Sequence, residues 1–142
     1  MILYLDTSCL VKLYFEEEDS LQVRERVQSS SAAATSLIAY AEVRSALARR
    51  FREKAFPATA YKRVLSGFCK DWPHYLRVQV TEPVVTLAGD LAEKHGLRGF
   101  DAVHLASAMT LREASSSNVL FSCADRPLQT ASREEGFAQP PP

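Results

Sequence analysis

The chain has 142 residues, 46% apolar and 24% charged, and its 17 basic and 17 acidic side chains leave a net charge of zero. No stretch approaches 18 uninterrupted apolar residues, which argues against a membrane span, and the charge balance argues against indiscriminate nucleic-acid binding. The length suits a single domain with a real core, expected over residues 1–138 and followed by a Pro-rich disordered tail at 139–142.

Taken in order, the first apolar run, Ile2 to Leu5, reads as a strand that stops abruptly on Asp6, with Thr7 and Ser8 directly behind it. Asp6 also meets that run too early for a signal peptide, so a cytoplasmic protein is expected. A helical pattern from Cys9 to Phe15 follows, then an acidic loop, Glu16 to Asp19, and a helix over Ser20 to Gln28 that Asp19 is placed to cap. Ala32 to Thr35 is expected as a strand, and Ser36 as the N-cap of a long helix ending near Lys54. Pro57 opens the next helix, whose Tyr61, Val64, Leu65, Phe68 and Trp72 make an apolar stripe for the core or a dimer interface. Leu76 to Val80 alternates as a strand does. Helices then start at Pro83 and at Phe100, Asn118 to Phe121 is a strand, Pro127 to Glu135 a helix, and Gly136 to Ala138 a short edge strand. The alternation predicts a three-layer α/β/α domain around a mostly parallel sheet.

Charge is unevenly spread. Residues 1–43 hold 3 bases and 7 acids, residues 44–80 hold 9 and 2, and residues 81–142 hold 5 and 8. Arg44, Arg49, Arg50, Arg52 and Lys54 share one helix, as a solvated surface or as a stripe facing phosphates. Cys9, Cys69 and Cys123 form no C-x-x-C pair, and His74, His95 and His104 have no zinc-ligand spacing.

Open parallel sheets bind ligands outside the carboxyl ends of their strands. Asp6, Glu42, Asp101 and Asp125 are placed to reach that edge. Singly, each has a plain explanation: Asp6 as a helix cap, Asp101 as a charge at a helix N-terminus, Asp125 as a turn residue. Glu42 is harder to dismiss, because Ile38 and Ala46 share its helical face and a lone carboxylate is costly there. Together the four would repel unless a cation neutralised them, and all-oxygen ligands suit Mg²⁺ or Mn²⁺. Such an ion serves phosphodiester hydrolysis. Thr7 and Ser8 stand where they hold phosphate or simply cap a helix, Arg98 and Arg126 steer phosphate or balance charge, and His104, three residues past Asp101, hydrogen-bonds an acid or packs, with packing the expectation.

YLDTSCLVKLY, TSLIAYAEVRSAL, GFDAVHLASAM and CADRPL, in this order, resemble the PIN-domain ribonucleases, and within them the VapC-type toxins of toxin–antitoxin pairs. The resemblance runs from Met1 to about Phe137. It implies a sheet of order 3-2-1-4-5, with Asp6, Glu42 and Asp101 as core acids and Asp125 as a more variable fourth. It further implies Mg²⁺- or Mn²⁺-dependent endonucleolytic cleavage of RNA to a 5′-phosphate and a 3′-hydroxyl, an antitoxin whose C-terminal segment masks the site, and a homodimer. Exposed parts of the Leu10–Phe15 and Leu37–Phe51 helices are docking candidates, or their residues are ordinary core. Cys123 departs from the family pattern, which often has a hydroxyl two residues before the fourth acid; Ser122 lies one place off. A PIN nuclease of RNA maturation or turnover, and an inert PIN-like binding module, are the alternatives.

Overall fold

The computed structural model describes residues 1–141. Four strands, β1 (Ile2–Leu5), β2 (Ala32–Ser36), β3 (Leu76–Val78) and β4 (Val119–Ser122), form a parallel sheet of order β3-β2-β1-β4. The helices are α1 (Thr7–Val11), α2 (Ser20–Ser29), α3 (Ala39–Glu53), α4 (Ala58–Asp71), α5 (Glu82–His95), α6 (Gly99–Ala114) and α7 (Arg126–Glu134).

Alternation along β1 divides the core, because successive side chains of a strand point to opposite faces. Ile2 and Tyr4 pack with α5, α6, α7 and Phe121 on one side. Leu3 and Leu5 pack with α1, Val23 of α2, α3 and α4 on the other. All four residues are buried, as a central parallel strand covered on both faces requires. The apolar stripe of α4 belongs to the second layer, where Phe68 and Trp72 pack on Tyr40 with ring centroids 5.7 and 5.3 Å away.

Several boundaries move from their expected places. Helix α1 starts at Thr7 and ends at Val11, with the chain turning through Phe15. Asp19 does precede α2, but at φ 65° it makes no side-chain cap bond. Ser36 ends β2 rather than capping α3, its Oγ accepting only a 3.4 Å bond from Ile38 N. Gly96, at φ 64°, takes the left-handed conformation that ends α5.

The fifth strand does not form, so the order 3-2-1-4-5 is corrected to 3-2-1-4. Residues 136–138 do run beside β4, but a single bond, Phe121 N to Ala138 O at 3.4 Å, joins them. The prolines beyond Gln139 have no N–H with which to continue a ladder. Phe137 is instead held by packing, its ring 5.6 Å from Phe121 and under the Arg112 guanidinium at 4.1 Å. Of the tail expected at 139–142, Gln139 donates to Ser132 Oγ at 2.8 Å and Arg26 donates to the Pro141 carbonyl at 2.6 Å; Pro142 lies outside the described residues.

Among the described residues no helix is long and apolar enough to cross a membrane. In the basic helix α3, Arg50 is taken by an ion pair with Glu17, while Arg44 lies exposed over the Tyr40 ring at 5.6 Å. In the two helices considered for docking, Leu10 and Val11 are ordinary core, whereas Leu37 is exposed.

Candidate active site

The carboxyl ends of β1 and β4 lie side by side, Leu5 level with Ser122, and the chain leaves each of them through an acid. Asp6 is the N-cap of α1. Its Oδ1 accepts from Cys9 N at 3.0 Å and from Ser8 Oγ at 2.7 Å, while its own N–H donates to Ser122 O at 3.1 Å. Ser8 Oγ in turn accepts from Ala124 N at 3.2 Å, tying the loop after β4 to the end of β1. Asp125 repeats the capping pattern on α7, its Oδ2 accepting from Leu128 N at 3.1 Å.

The other two acids come from helices. Glu42, in the first turn of α3, accepts at Oε1 from Thr7 Oγ1 at 2.7 Å and pairs there with His104 Nε2 at 2.8 Å. Asp101, in the first turn of α6, accepts at Oδ2 from Arg98 Nε at 3.3 Å.

The four acids share one feature. In each, a single oxygen carries all the hydrogen bonds, and among the described residues the second oxygen has no protein donor. Those second oxygens are not sealed in, because Ser107 Oγ is the one buried side-chain polar atom without a partner among the described residues.

Electrostatics connect the acids. Asp6 is 4% exposed, and burial pushes its carboxyl above the ordinary range. The neighbouring His104 and the bonds from Ser8 and Cys9 oppose that shift, whereas the negative charge of Asp101 adds to it. Burial also raises Glu42, but the bonds from His104 and Thr7 outweigh it and hold the carboxyl below its usual value. Burial pushes the Cys123 thiol up, and the charges of Asp6, Asp125 and Asp101 push it further.

Among the described residues no three His, Cys, Asp or Glu side chains are set to hold a metal ion. As they stand, the four acids do not close on a common centre. The donor set still fits a hard cation. Mg²⁺ keeps several of its waters and binds through one or two carboxylates, so free, anchored carboxylate oxygens suit it better than a closed protein sphere. A buried Asp6 facing a second negative charge is also the environment that a cation relieves.

The remaining candidates divide. Thr7 and Ser8 turn their hydroxyls onto the acids, so they hold carboxylates. Arg98 is exposed and bound to Asp101; Arg126 is exposed at the first position of α7. Ser122 is buried, donating to Cys9 Sγ at 3.4 Å, and brings no hydroxyl to the edge. Two residues take polar roles beyond the expected packing. His104 does not merely pack, and Tyr4, counted only as strand core, places its hydroxyl 2.9 Å from His104 Nδ1. The three-residue spacing from Asp101 to His104 carried the signal for the first; a tyrosine in an apolar strand carried none for the second.

A cleft of about 780 Å³ opens beside the acids, with Glu42 and Asp101 on its wall and Ile38, Val80, Val85 and Phe100 as its apolar lining. Phe100 is 65% exposed and Val85 51%.

Residues 3–126 match the PIN domain family. The chain is 33% identical over 135 residues to "Ribonuclease VapC45" of Mycobacterium tuberculosis (strain CDC 1551 / Oshkosh), which covers 95% of this chain and 92% of that relative. Its structure resembles that of FitAcB from Neisseria gonorrhoeae, with a TM-score of 0.63, 20% identity and 94% of each chain covered. It also resembles VapBC2 from Rickettsia felis bound to a DNA fragment from their promoter, with a TM-score of 0.62, 13% identity and 92% of each chain covered. At those identities the structural likeness speaks for the fold alone.

Proposed function

This chain belongs to the PIN domain family, and from that premise we propose that it is a Mg²⁺- or Mn²⁺-dependent endoribonuclease, the toxin of a toxin–antitoxin pair. The observation that carries the reading is that all four acids are each anchored through one oxygen and open at the other. An inert binding module gains nothing from mutually repelling carboxylates, one of them buried. The ribonuclease name of the M. tuberculosis relative supports the same activity.

The ion, when bound, supplies activation of the attacking water and stabilisation of the leaving oxygen in phosphodiester hydrolysis. The chain's own residues supply its place. Asp6, Glu42, Asp101 and Asp125 are the proposed ligands. The Cys9 amide and the Ser8 hydroxyl hold Asp6 still, and Thr7 and His104 do the same for Glu42. Arg98 and Arg126, exposed beside two of the acids, draw the RNA backbone towards the edge without reading its sequence. Water adds to the phosphorus and the bond to the 3′-oxygen breaks, leaving a 5′-phosphate and a 3′-hydroxyl.

The partner proposed is an antitoxin segment lying in the cleft lined by Ile38, Val80, Val85 and Phe100. The cleft is continuous with Glu42 and Asp101, so an apolar segment seated there would cover the acids. A cytoplasmic homodimer completes the reading.

Purified protein with Mg²⁺ or Mn²⁺ is expected to cut structured RNA, with Asp6→Asn and Asp101→Asn reducing cleavage at least ~100-fold. Equal cutting by wild type and both variants would mark a contaminating nuclease and leave the binding-module reading standing.

A further inference from the structure

Helix α6 buries an imidazole where it otherwise buries small and apolar side chains. His104 is 2% exposed, with Ala102, Leu105, Ala106 and Ala108 buried around it. A polar group so placed is costly unless both ring nitrogens find partners. They do: Nδ1 lies 2.9 Å from the Tyr4 hydroxyl, and Nε2 lies 2.8 Å from Glu42 Oε1 and 3.1 Å from Thr7 Oγ1. A carboxylate only accepts, so the network assigns the proton to Nε2, and in the neutral ring Nδ1 accepts from the phenol.

The phenol itself is fixed. Tyr4 is fully buried on β1, and its ring stacks on Phe121 of β4 at 5.4 Å and 8°. Its hydroxyl belongs to no surface and touches no acid. Its place in the molecule is behind His104.

We propose that His104, backed by the Tyr4 hydroxyl, is a positioning residue: it holds one oxygen of Glu42 so that the other is presented to the cation. The proposal rests on the metal-dependent nuclease reading above. The reason lies in which elements the bonds join. Glu42 comes from α3, while Thr7 directly follows Asp6 and His104 lies one turn beyond Asp101 on α6. The two donors on Glu42 Oε1 thus register α3 against the two segments that carry the other core acids. Without them, Glu42 is one flexible side chain at the start of α3. With them, it is indexed to both.

The test is Mn²⁺ binding, read by electron paramagnetic resonance on purified protein, beside RNA cleavage and thermal melting. His104→Leu keeps the volume and removes the donor; it is expected to weaken Mn²⁺ binding about tenfold or more, the usual scale for losing the group that orients a metal ligand. His104→Gln keeps an N–H near the Nε2 position and is expected to restore affinity to within about threefold of wild type. Tyr4→Phe deletes one oxygen and preserves the stacking on Phe121. It is expected to weaken Mn²⁺ binding about threefold in the wild-type background and to have no effect in His104→Leu, because its action passes through the imidazole. Should His104→Leu fail to fold, Tyr4→Phe and His104→Gln carry the test. Unchanged Mn²⁺ affinity in the folded variants, with a wild type that binds the ion, would overturn the positioning role alone. A wild type that neither binds Mn²⁺ nor cuts RNA would overturn the nuclease reading and this role with it.

Discussion

Asp6 and Glu42 carry the same charge at the same edge, yet their surroundings act on them in opposite directions. Asp6 is raised by burial despite its bonds to Cys9 N and Ser8, so its ionised form costs folding free energy. Glu42 is lowered because His104 and Thr7 outweigh its partial burial, so its ionised form contributes to stability. If repulsion among the acids strains the metal-free site, as the sequence suggests, Glu42→Gln or Asp101→Asn raises the melting temperature or at least does not lower it much. Glu42 has to be taken out of that group. In metal-free buffer at pH 7, Asp6→Asn, which keeps an oxygen for the cap, is expected to melt a few degrees higher than wild type. Glu42→Gln is expected to melt a few degrees lower, a loss of about 1 kcal/mol as two charge-assisted bonds become neutral ones. Differential scanning calorimetry of the two variants decides it, and shifts of the same sign would contradict the argument.

At the scale of elements, strand positions follow the local pattern more faithfully than helix ends do. The apolar runs that start at Ile2, Ala32 and Leu76 pair within a residue or two of the expected limits. The last helix is different: what matters in α7 is its end, where side chains from α5 meet it. His95 Nδ1 lies 3.0 Å from Glu134 Oε2 and His95 Nε2 lies 2.7 Å from Glu135 Oε1, while Lys94 Nζ reaches Glu135 Oε1 at 2.5 Å. The bonds from Lys94 and His95 hold the Glu135 carboxyl below the usual range. The folded Glu135 is therefore ionised where the unfolded chain is still protonated. The stabilisation is complete above the ordinary Glu pKa of about 4.3 and is lost as pH falls through the lower folded value. In urea unfolding at stepped pH, Glu135→Gln is expected to be less stable than wild type at pH 7 and to converge with it at the acid end. Parallel curves would place the clasp outside the stability of the fold. Nothing in the local sequence pairs Lys94 and His95 with residues 134 and 135, because the two helices are forty residues apart.

In the whole molecule, the two-sided sheet decides which groups are accessible. Cys9 lies inside one layer and Cys123 inside the other, whereas Cys69 is exposed on α4. Burial pushes the Cys9 thiol up to about 12 and raises that of Cys123 as well. Neither forms thiolate near neutrality, so neither is a nucleophile there. A thiol reagent at pH 8 is expected to modify one cysteine quickly in the folded protein and three after denaturation. Rapid modification of all three in the folded state would show that these layers open. The same layering explains how the candidate site was legible at a distance. Asp6 directly follows β1 and Asp125 lies three residues past the adjacent parallel strand β4, and the carboxyl ends of such strands gather at one edge whatever the loops do.

A largely parallel sheet follows from the alternation of apolar runs and helical patterns, whereas strand order, apart from the last edge, is implied by the family resemblance; the four acids are expected at one end because the carboxyl ends of parallel strands share an edge. The sequence also grouped Asp6, Glu42, Asp101 and Asp125 as one expected site, through motifs at fixed positions relative to the predicted strands. Tertiary structure alone decided how each acid is held. That Thr7 and His104 anchor Glu42, that Tyr4 stands behind His104, and that Ser8 bridges Asp6 to Ala124 are contacts between residues 35 to 116 positions apart, except for the local Ser8–Asp6 bond. Such contacts are set by the packing of helices on a sheet. A hydrogen bond depends on a few tenths of an ångström, and no local pattern of residues specifies distances that finely.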